Sequence, residues 1–267
     1  VKVTYDPTGR PGKFSKKVKV ETNCQPAQNI LTINGVVIGA SNTLRARYPI
    51  EVGKLKLRNK TLTFGDINKG STKTAFLDCY NQSNDTIHPI VTGLPQHITV
   101  STSPEAVPPG EQATFTFFYN SARSSDWGMT SDMITVAPDV TSDIAQPVEL
   151  IAIVNEDFSR MTPEKRERAP KVALSTTAID LGQTAVGTRN EAEVIVENFG
   201  KDPLVIRRIS SFDPAVEASI NKTEVKIPAY RDTRKCESDI LNARISLITN
   251  DPDRPVSNIR VVGELLK

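Results

Sequence analysis

The stretch Ala192-Glu193-Val194-Ile195-Val196 and its counterpart 117 residues earlier, Ala75-Phe76-Leu77-Asp78-Cys79, decide the fold of this chain. In both stretches every second position carries a small or apolar side chain. Successive side chains of a β-strand point to opposite faces, so this period of two predicts a strand with one face turned toward a core. We therefore expect the same strand in two copies of one domain.

The repeat reaches beyond these two stretches, because three more pairs of identical residues keep the same interval without a gap. The segments 86–91 and 203–208 are also 117 residues apart, and each contains β-branched residues that follow a polar turn. They predict the next strand of each copy. The three pairs are Gly65 and Gly182, Gly70 and Gly187, and Asn81 and Asn198.

A second internal sequence similarity relates the end of the chain to its beginning. Val18-Lys19-Val20-Glu21-Thr22-Asn23 resembles residues 245–250, and residues 33–35 resemble residues 261–263, at intervals of 227 and 228 residues. Residues 1–39 are therefore predicted to be the last two or three strands of a domain. At Ser15-Lys16 the alternation changes phase, which predicts a bulge.

The domain organisation follows from where alternation is lost. No segment shows a sustained 3.6-residue apolar period, and short strands separated by turn residues are typical of a β-sandwich. In the connecting segment after the second domain, Thr162-Pro163-Glu164 predicts the start of a short helix, since Thr can cap and Pro suits the first helical position. The predicted segments are the C-terminal part of a first immunoglobulin-like domain (1–39), a linker (40–53), a second domain (54–155), a linker (156–170) and a third domain (171–267).

Composition and charge argue against nucleic acid as a partner and against a transmembrane segment in this chain. The 267 residues include 33 basic and 31 acidic ones, so the net charge of +2 gives no broad field for nucleic acid. Lys13, Lys17 and Lys19 form a solvated strand face without the interleaved aromatics that base stacking needs. No stretch approaches the roughly 20 apolar residues that span a bilayer, so no transmembrane segment is expected in this chain.

The residues suited to catalysis or metal binding form no recognised constellation. His88 and His97 are the only histidines and lack metal-ligand spacing, so they are given structural or surface roles. Cys79 has Val196 as its repeat partner and is predicted to be a buried small hydrophobe. Cys24 and Cys236 could pair only if distant domains met. No catalytic residue, metal site or cofactor is predicted, and the chain is not expected to be an enzyme.

The segment Asn250-Asp251-Pro252-Asp253 allows two interpretations. It resembles the calcium-binding linker of cadherin-type domains, where clustered oxygens supply the six to eight ligands that the cation prefers. Acidic partners from earlier strands are not visible in the sequence. A hairpin turn initiated by Asx-Pro is therefore the favoured interpretation.

Residues 5–14, followed by Val18-x-Val20-x-Thr22-Asn23 and Ile33-x-Gly35, resemble the C-terminal half of a bacterial domain of unknown function numbered 1573. That family is abundant in Bacteroidetes and is similar to the Hydin-like ASH domains. The resemblance implies all-β, tandem immunoglobulin-like β-sandwich domains, export to the periplasm or cell surface, and no known catalysis. Such domains often carry a close cysteine pair where this chain has Ser210-Ser211-Phe212-Asp213, so no thiol role transfers.

These observations favour a non-catalytic structural or binding module of the bacterial cell envelope, which meets a protein or glycan partner. Trp127, the sole tryptophan, lies in a turn-like segment and is either an exposed contact residue or part of a core. One alternative is an accessory domain array of a larger envelope enzyme or export machine. Another is a cytosolic scaffold of the ASH type.

Overall fold

The computed structural model describes residues 3–4, 12–21, 23, 28–37, 47–185, 187–211, 213–219, 226–232 and 239–266. Almost all regular structure in these residues is β-strand, as the sequence predicted. The elements are β1 (Gly12–Glu21), β2 (Gln28–Val37), β3 (Ile50–Val52), β4 (Leu55–Leu57), β5 (Thr61–Asn68), β6 (Thr72–Asn81), β7 (Ile90–Thr92), β8 (Ile98–Ser103), β9 (Gln112–Asn120), β10 (Gly128–Ala137), β11 (Gln146–Asn155), α1 (Pro163–Arg168), β12 (Val172–Leu174), β13 (Ala178–Ala185), β14 (Arg189–Asn198), β15 (Ile206–Ser211), β16 (Val216–Ala218), β17 (Lys226–Asp232), β18 (Ile240–Thr249) and β19 (Val256–Leu266).

Strands β1 and β2 form an antiparallel hairpin with an unbroken register. The bulge predicted at Ser15-Lys16 is wrong, because Lys16 pairs one-to-one with Ile33 and shares a face with Phe14. A lysine tolerates this position because its long stem can lie on an apolar face while the ammonium group reaches water. Gly35 lies opposite Phe14, and an added Cβ there would be only 2.6 Å from the ring.

The first copy of the repeat contains a five-stranded sheet and a four-stranded sheet. Their strand orders are β3-β4-β6-β9-β8 and β5-β11-β10-β7. Burial alternates along β6 and β9, where Leu77, Cys79, Phe115 and Phe117 are each 0% exposed. The period of two in the sequence therefore marks the buried face of these strands.

The second copy contains two four-stranded sheets of the same order, β12-β14-β17-β16 and β13-β19-β18-β15. Val194 and Val196 are 0% and 2% exposed and belong to the hydrophobic core, and Ala192 packs against it. The prediction that positions 192, 194 and 196 face inward is confirmed. Among the described residues of the second copy, no strand corresponds to β3.

The glycines of the repeat also keep their backbone conformation. Gly65 and Gly182 have φ angles of 66° and 62°, and Gly70 and Gly187 have φ angles of 89° and 85°. These values lie in the left-handed region, which only glycine enters at little cost. Gly65 and Gly182 lie inside β5 and β13, and the register of β13 shifts between Asp180 and Gln183. Gly70 and Gly187 lie in the turns that follow these strands, so both pairs of glycines recur for a backbone reason.

Helix α1 begins as predicted. Thr162 is its N-cap, and the Thr162 hydroxyl accepts a hydrogen bond from the backbone N–H of Lys165. After the helix the chain passes close to Gly200, where an added Cβ would overlap the carbonyl oxygen of Ala169. Among the described residues, no helix is both long and apolar enough to cross a membrane.

The chain divides into two compact units. One comprises Val1–Thr63, Thr74–Tyr119 and Asp132–Leu150, and the other comprises Phe64–Lys73, Asn120–Ser131 and Ile151–Lys267. The five-segment domain division drawn from the sequence stays a prediction.

Candidate binding surfaces

The two histidines have structural and surface positions. The Nε2 atom of His97 lies 3.0 Å from Oδ2 of Asp132, and the His97 ring packs on Tyr119 with 4.7 Å between centroids. His88 is exposed, and its backbone N–H donates to the carboxylate of Asp139. These contacts agree with the roles predicted for both residues.

The predicted burial of Cys79 is confirmed. Its side chain is 0% exposed, and burial raises the pKa of the thiol to about 12. The thiolate is the nucleophilic form of cysteine, and at neutral pH this thiol stays protonated. Cys24 and Cys236, which the sequence left as a conceivable pair, lie outside the described residues.

Asp251 organises the turn between β18 and β19. Its Oδ1 accepts hydrogen bonds from the backbone N–H groups of Asp253 and Arg254, at 2.9 and 3.1 Å, and its Oδ2 accepts one from Val172 at 2.9 Å. The residue is 3% exposed, and both carboxylate oxygens are used by backbone donors. The favoured interpretation of residues 250–253 as a turn is confirmed. Among the described residues, no group of acidic, histidine or cysteine side chains is arranged to hold a metal ion.

Trp127 is half-buried beside two cations. Lys69 Nζ and Arg207 Cζ lie 4.7 and 4.8 Å from the centroid of its ring, within the range of cation–π attraction. Arg207 is held in turn by Glu156, which accepts two hydrogen bonds from the guanidinium at 2.8 and 3.0 Å. Burial lowers the pKa of Lys69. The sequence pointed to Trp127 but not to these cations, and its role as a contact residue stays a prediction.

The backbone next to Trp127 is also tied down. Arg208 Nη1 donates to the carbonyl oxygens of Trp127 and Met129 at 3.0 and 2.9 Å. Gly128 has a φ of 69°, and an added Cβ would overlap the side chain of Ile248. The segment that carries Trp127 is therefore held by backbone and side-chain contacts within its compact unit.

The outer face of the five-stranded sheet carries exposed aromatic side chains. Phe76 is 60% exposed and Phe118 is 38% exposed, each between buried neighbours on its strand. Tyr80, farther along β6, stacks on the buried Tyr48 with 5.9 Å between ring centroids, and the Tyr48 hydroxyl donates to Gln112 at 2.6 Å. The sequence signal for this surface was present as a phenylalanine at an outward position of the alternation in β6.

The outer face of the sheet β13-β19-β18-β15 carries arginines instead. Arg244 of β18 pairs directly across the ladder with Arg260 of β19, and both side chains are exposed. Arg260 Nε donates to Oδ1 of Asn242 at 3.1 Å. The two arginines line a groove of about 890 Å³ together with Thr177, Asp213, Asn242 and Asn258. Only the strand register brings them together, so the sequence alone could not find this surface.

The repeated sheet pairs define the class of this protein: it is an all-β protein built from tandem immunoglobulin-like β-sandwich domains. The model of a family described as a protein of unknown function (DUF1573) matches residues 1–37. The resemblance to that family drawn from the sequence is confirmed in this part of the chain.

Several solved structures are similar to the chain. A protein of unknown function from Porphyromonas gingivalis W83 is 23% identical with a TM-score of 0.59, and the match covers 80% of this chain and 100% of that one. A chimeric titin Z1Z2 tandem is 9% identical with a TM-score of 0.35, covering 80% and 100%. An ASH/PapD-like domain of human CEP192 is 14% identical with a TM-score of 0.28, covering 39% and 87%. No curated protein matches the chain significantly.

Proposed function

We propose that the chain is a non-catalytic structural or binding module of the bacterial cell envelope, which meets a protein or glycan partner through its tandem immunoglobulin-like domains. The observation that carries this proposal is where the chemically capable side chains lie. His97 is engaged with Asp132 and Tyr119, and Cys79 is buried with its pKa raised to about 12. In contrast, the outer sheet faces present exposed aromatic and cationic side chains to solvent.

The periplasm or cell surface is the proposed location. Residues 1–37 match the DUF1573 family, and the resemblance to that family implies export to the periplasm or cell surface. The likeness to the Porphyromonas gingivalis protein supports the fold that such a module would have.

Retention of the purified chain on fractions of a Bacteroidetes cell tests this function. Outer membranes, murein sacculi with their attached polymers, and cytosolic protein would each be immobilised and titrated with the chain. We expect saturable retention on an envelope fraction and only background retention on the cytosolic one. Proteinase K treatment abolishes retention when the partner is a protein, and periodate oxidation abolishes it when the partner is a glycan. Equal retention on all fractions would contradict the proposal.

A further inference from the structure

Two arginines face each other on the outer surface of the second copy. Arg244 and Arg260 are directly paired in the antiparallel β18–β19 ladder, and both side chains are exposed. Directly opposed residues in such a ladder have Cβ atoms about 4.5–5.5 Å apart, and like charges there are destabilising. The pair of like charges is therefore unfavourable for the fold in the absence of a ligand.

In the part of the chain that the structure describes, no ion pair is formed by either arginine, Arg244 or Arg260. Asp213 also lines the groove, and its Oδ1 accepts a hydrogen bond from the backbone N–H of Ala215. Asn242 accepts a hydrogen bond from Nε of Arg260, and among the described residues no side chain takes up its Nη1 and Nη2 groups, which a ligand can therefore use.

An adjoining hollow extends the surface along the strands. It has a volume of about 410 Å³ and shares Asn242 and Arg260 with the groove. Two acidic groups line it, and each already has a polar contact: Asp180 Oδ1 accepts the N–H of Gly182, and Glu264 accepts a hydrogen bond from Gln183. The arginine pair thus lies in an elongated polar depression.

The lining chemistry selects a class of ligand. A guanidinium group presents a planar fork of N–H donors that binds a carboxylate through two parallel hydrogen bonds. The amides of Asn242 and Asn258 and the hydroxyl of Thr177 are donors and acceptors suited to sugar hydroxyls. No aromatic side chain lines the groove among the described residues, whereas single-stranded nucleic acid is normally bound by stacking its bases on aromatic rings.

We propose that this outer face of β18 and β19 binds an acidic glycan, with a uronate carboxylate held between Arg244 and Arg260. The asparagine amides and Thr177 then hydrogen-bond the hydroxyls of the flanking sugars. This inference rests on the proposed binding function and names the ligand class for one of its surfaces.

Calorimetric titration of the full chain with a linear tetragalacturonate tests the ligand class. The carboxylates of the probe bind at low ionic strength, and binding weakens when NaCl is raised from about 20 to about 200 mM, since salt screens exposed charges. The fully methyl-esterified tetramer keeps the hydroxyls but lacks the charges, and it binds about tenfold more weakly or not at all. Parallel titrations with inorganic phosphate and polyphosphate test whether the surface binds phosphate instead.

Single and double variants test the arginine pair. Arg244→Gln and Arg260→Gln each weaken binding of the tetramer by about tenfold or more, because each removes a charged hydrogen-bond donor. Arg254→Gln is the matched control, since Arg254 is an exposed arginine in the β18–β19 turn, and it changes affinity less than about twofold. Without ligand, either pair variant raises the melting temperature at low salt by about 1–3 °C, because the like-charge opposition is removed.

Three results would overturn the inference: no binding of the acidic tetramer, equal binding of its methyl ester, or unchanged affinity in the Arg244→Gln/Arg260→Gln double variant. Binding of polyphosphate in preference to the uronate would overturn the glycan assignment. A negative result in the calorimetric titration would refute the acidic-glycan site without refuting the proposed binding function. The calorimetry uses a purified probe, whereas retention on envelope fractions includes every surface of the chain.

Discussion

The two copies of the repeat hold the same asparagine in different surroundings. In both copies the side-chain oxygen accepts a hydrogen bond from the N–H two residues later, and the side-chain amide donates to the carbonyl four residues later. Asn81 is 0% exposed and also donates to the carbonyl of Val107, whereas Asn198 is exposed and also accepts the N–H of Lys171. The repeat therefore preserves the device that shapes the loop, while neighbouring segments decide how deeply it is buried.

Inward and outward positions of the repeated strand behave differently. Leu77 and its partner Val194 are both fully buried, so the inner face kept its apolar character. Phe76 and its partner Glu193 are both exposed, and one is aromatic while the other is charged. The inner face is constrained by packing, and the outer face was free to diverge into separate surfaces.

The largest expected effect on stability distinguishes the buried face of β6 from its exposed face. Leu77→Ala removes a fully buried side chain and costs about 2–5 kcal/mol of unfolding free energy. Phe76→Ser, one position away, changes it by less than about 0.5 kcal/mol, since that side chain is 60% exposed. Urea unfolding followed by far-UV circular dichroism measures both values. Equal losses in the two variants would show that the assigned faces are wrong.

Two glycines with left-handed φ angles differ in the space around them. Gly128→Ala places a Cβ against Ile248 at a φ of 69° and costs about 2–4 kcal/mol, from backbone strain and overpacking together. Gly110→Ala is the control, because Gly110 has a φ of 78° and open space around it, so only strain of about 1–2 kcal/mol applies. The same unfolding measurement separates the two costs. A Gly110 variant as unstable as the Gly128 variant would contradict the contact with Ile248.

Alkaline pH distinguishes Cys79 from its repeat partner Val196. Burial raises the pKa of Cys79 from 9.0 to about 12, so between these values the unfolded chain binds fewer protons than the folded one. The stabilising contribution is complete below pH 9 and is lost as the pH rises toward 12. At pH 10.5 wild-type protein should have lost about 2 kcal/mol more than Cys79→Val, relative to pH 8. Parallel pH dependence in both proteins would argue against a buried thiol.

Replacing the repeated asparagine has a different expected effect in each copy, and the effect at Asn198 is the smallest. Asn81→Ala costs about 1–3 kcal/mol, because it withdraws hydrogen bonds from the buried carbonyl of Val107 and the partly buried carbonyl of Asp85. Asn198→Ala costs about 0.5–1 kcal/mol, since water can replace its contacts at the surface. Thermal unfolding of the two single variants measures the difference. A greater loss at Asn198 would reverse the order of burial.

The sequence was sufficient for features that depend on local spacing. Alternation predicted the buried positions of β6 and β14, the repeat located the left-handed glycines, and Thr162 marked the start of α1. These are properties of a few neighbouring residues, so they can be read directly from their order.

The surfaces could not be predicted because they depend on register and on contacts between distant segments. Arg244 meets Arg260 only through the pairing of β18 with β19, and Lys69 and Arg207 reach Trp127 from separate parts of the chain. The bulge predicted at Ser15-Lys16 failed for a related reason. The polarity of Lys16 does not determine the direction of its side chain. The continuous pairing of β1 with β2 keeps Lys16 on the same face as Phe14.

Thiol labelling along β14 tests most directly the central claim that side-chain alternation separates the buried and exposed faces of the repeated strand. In a cysteine-free background, single cysteines would replace Glu193, Val194, Ile195 and Val196 in turn, and the rate of alkylation would be measured in the folded protein. We expect fast labelling at 193 and 195 and strong protection at 194 and 196, since the latter pair is buried. Labelling at a uniform rate, or with the period of a helix, would contradict the account.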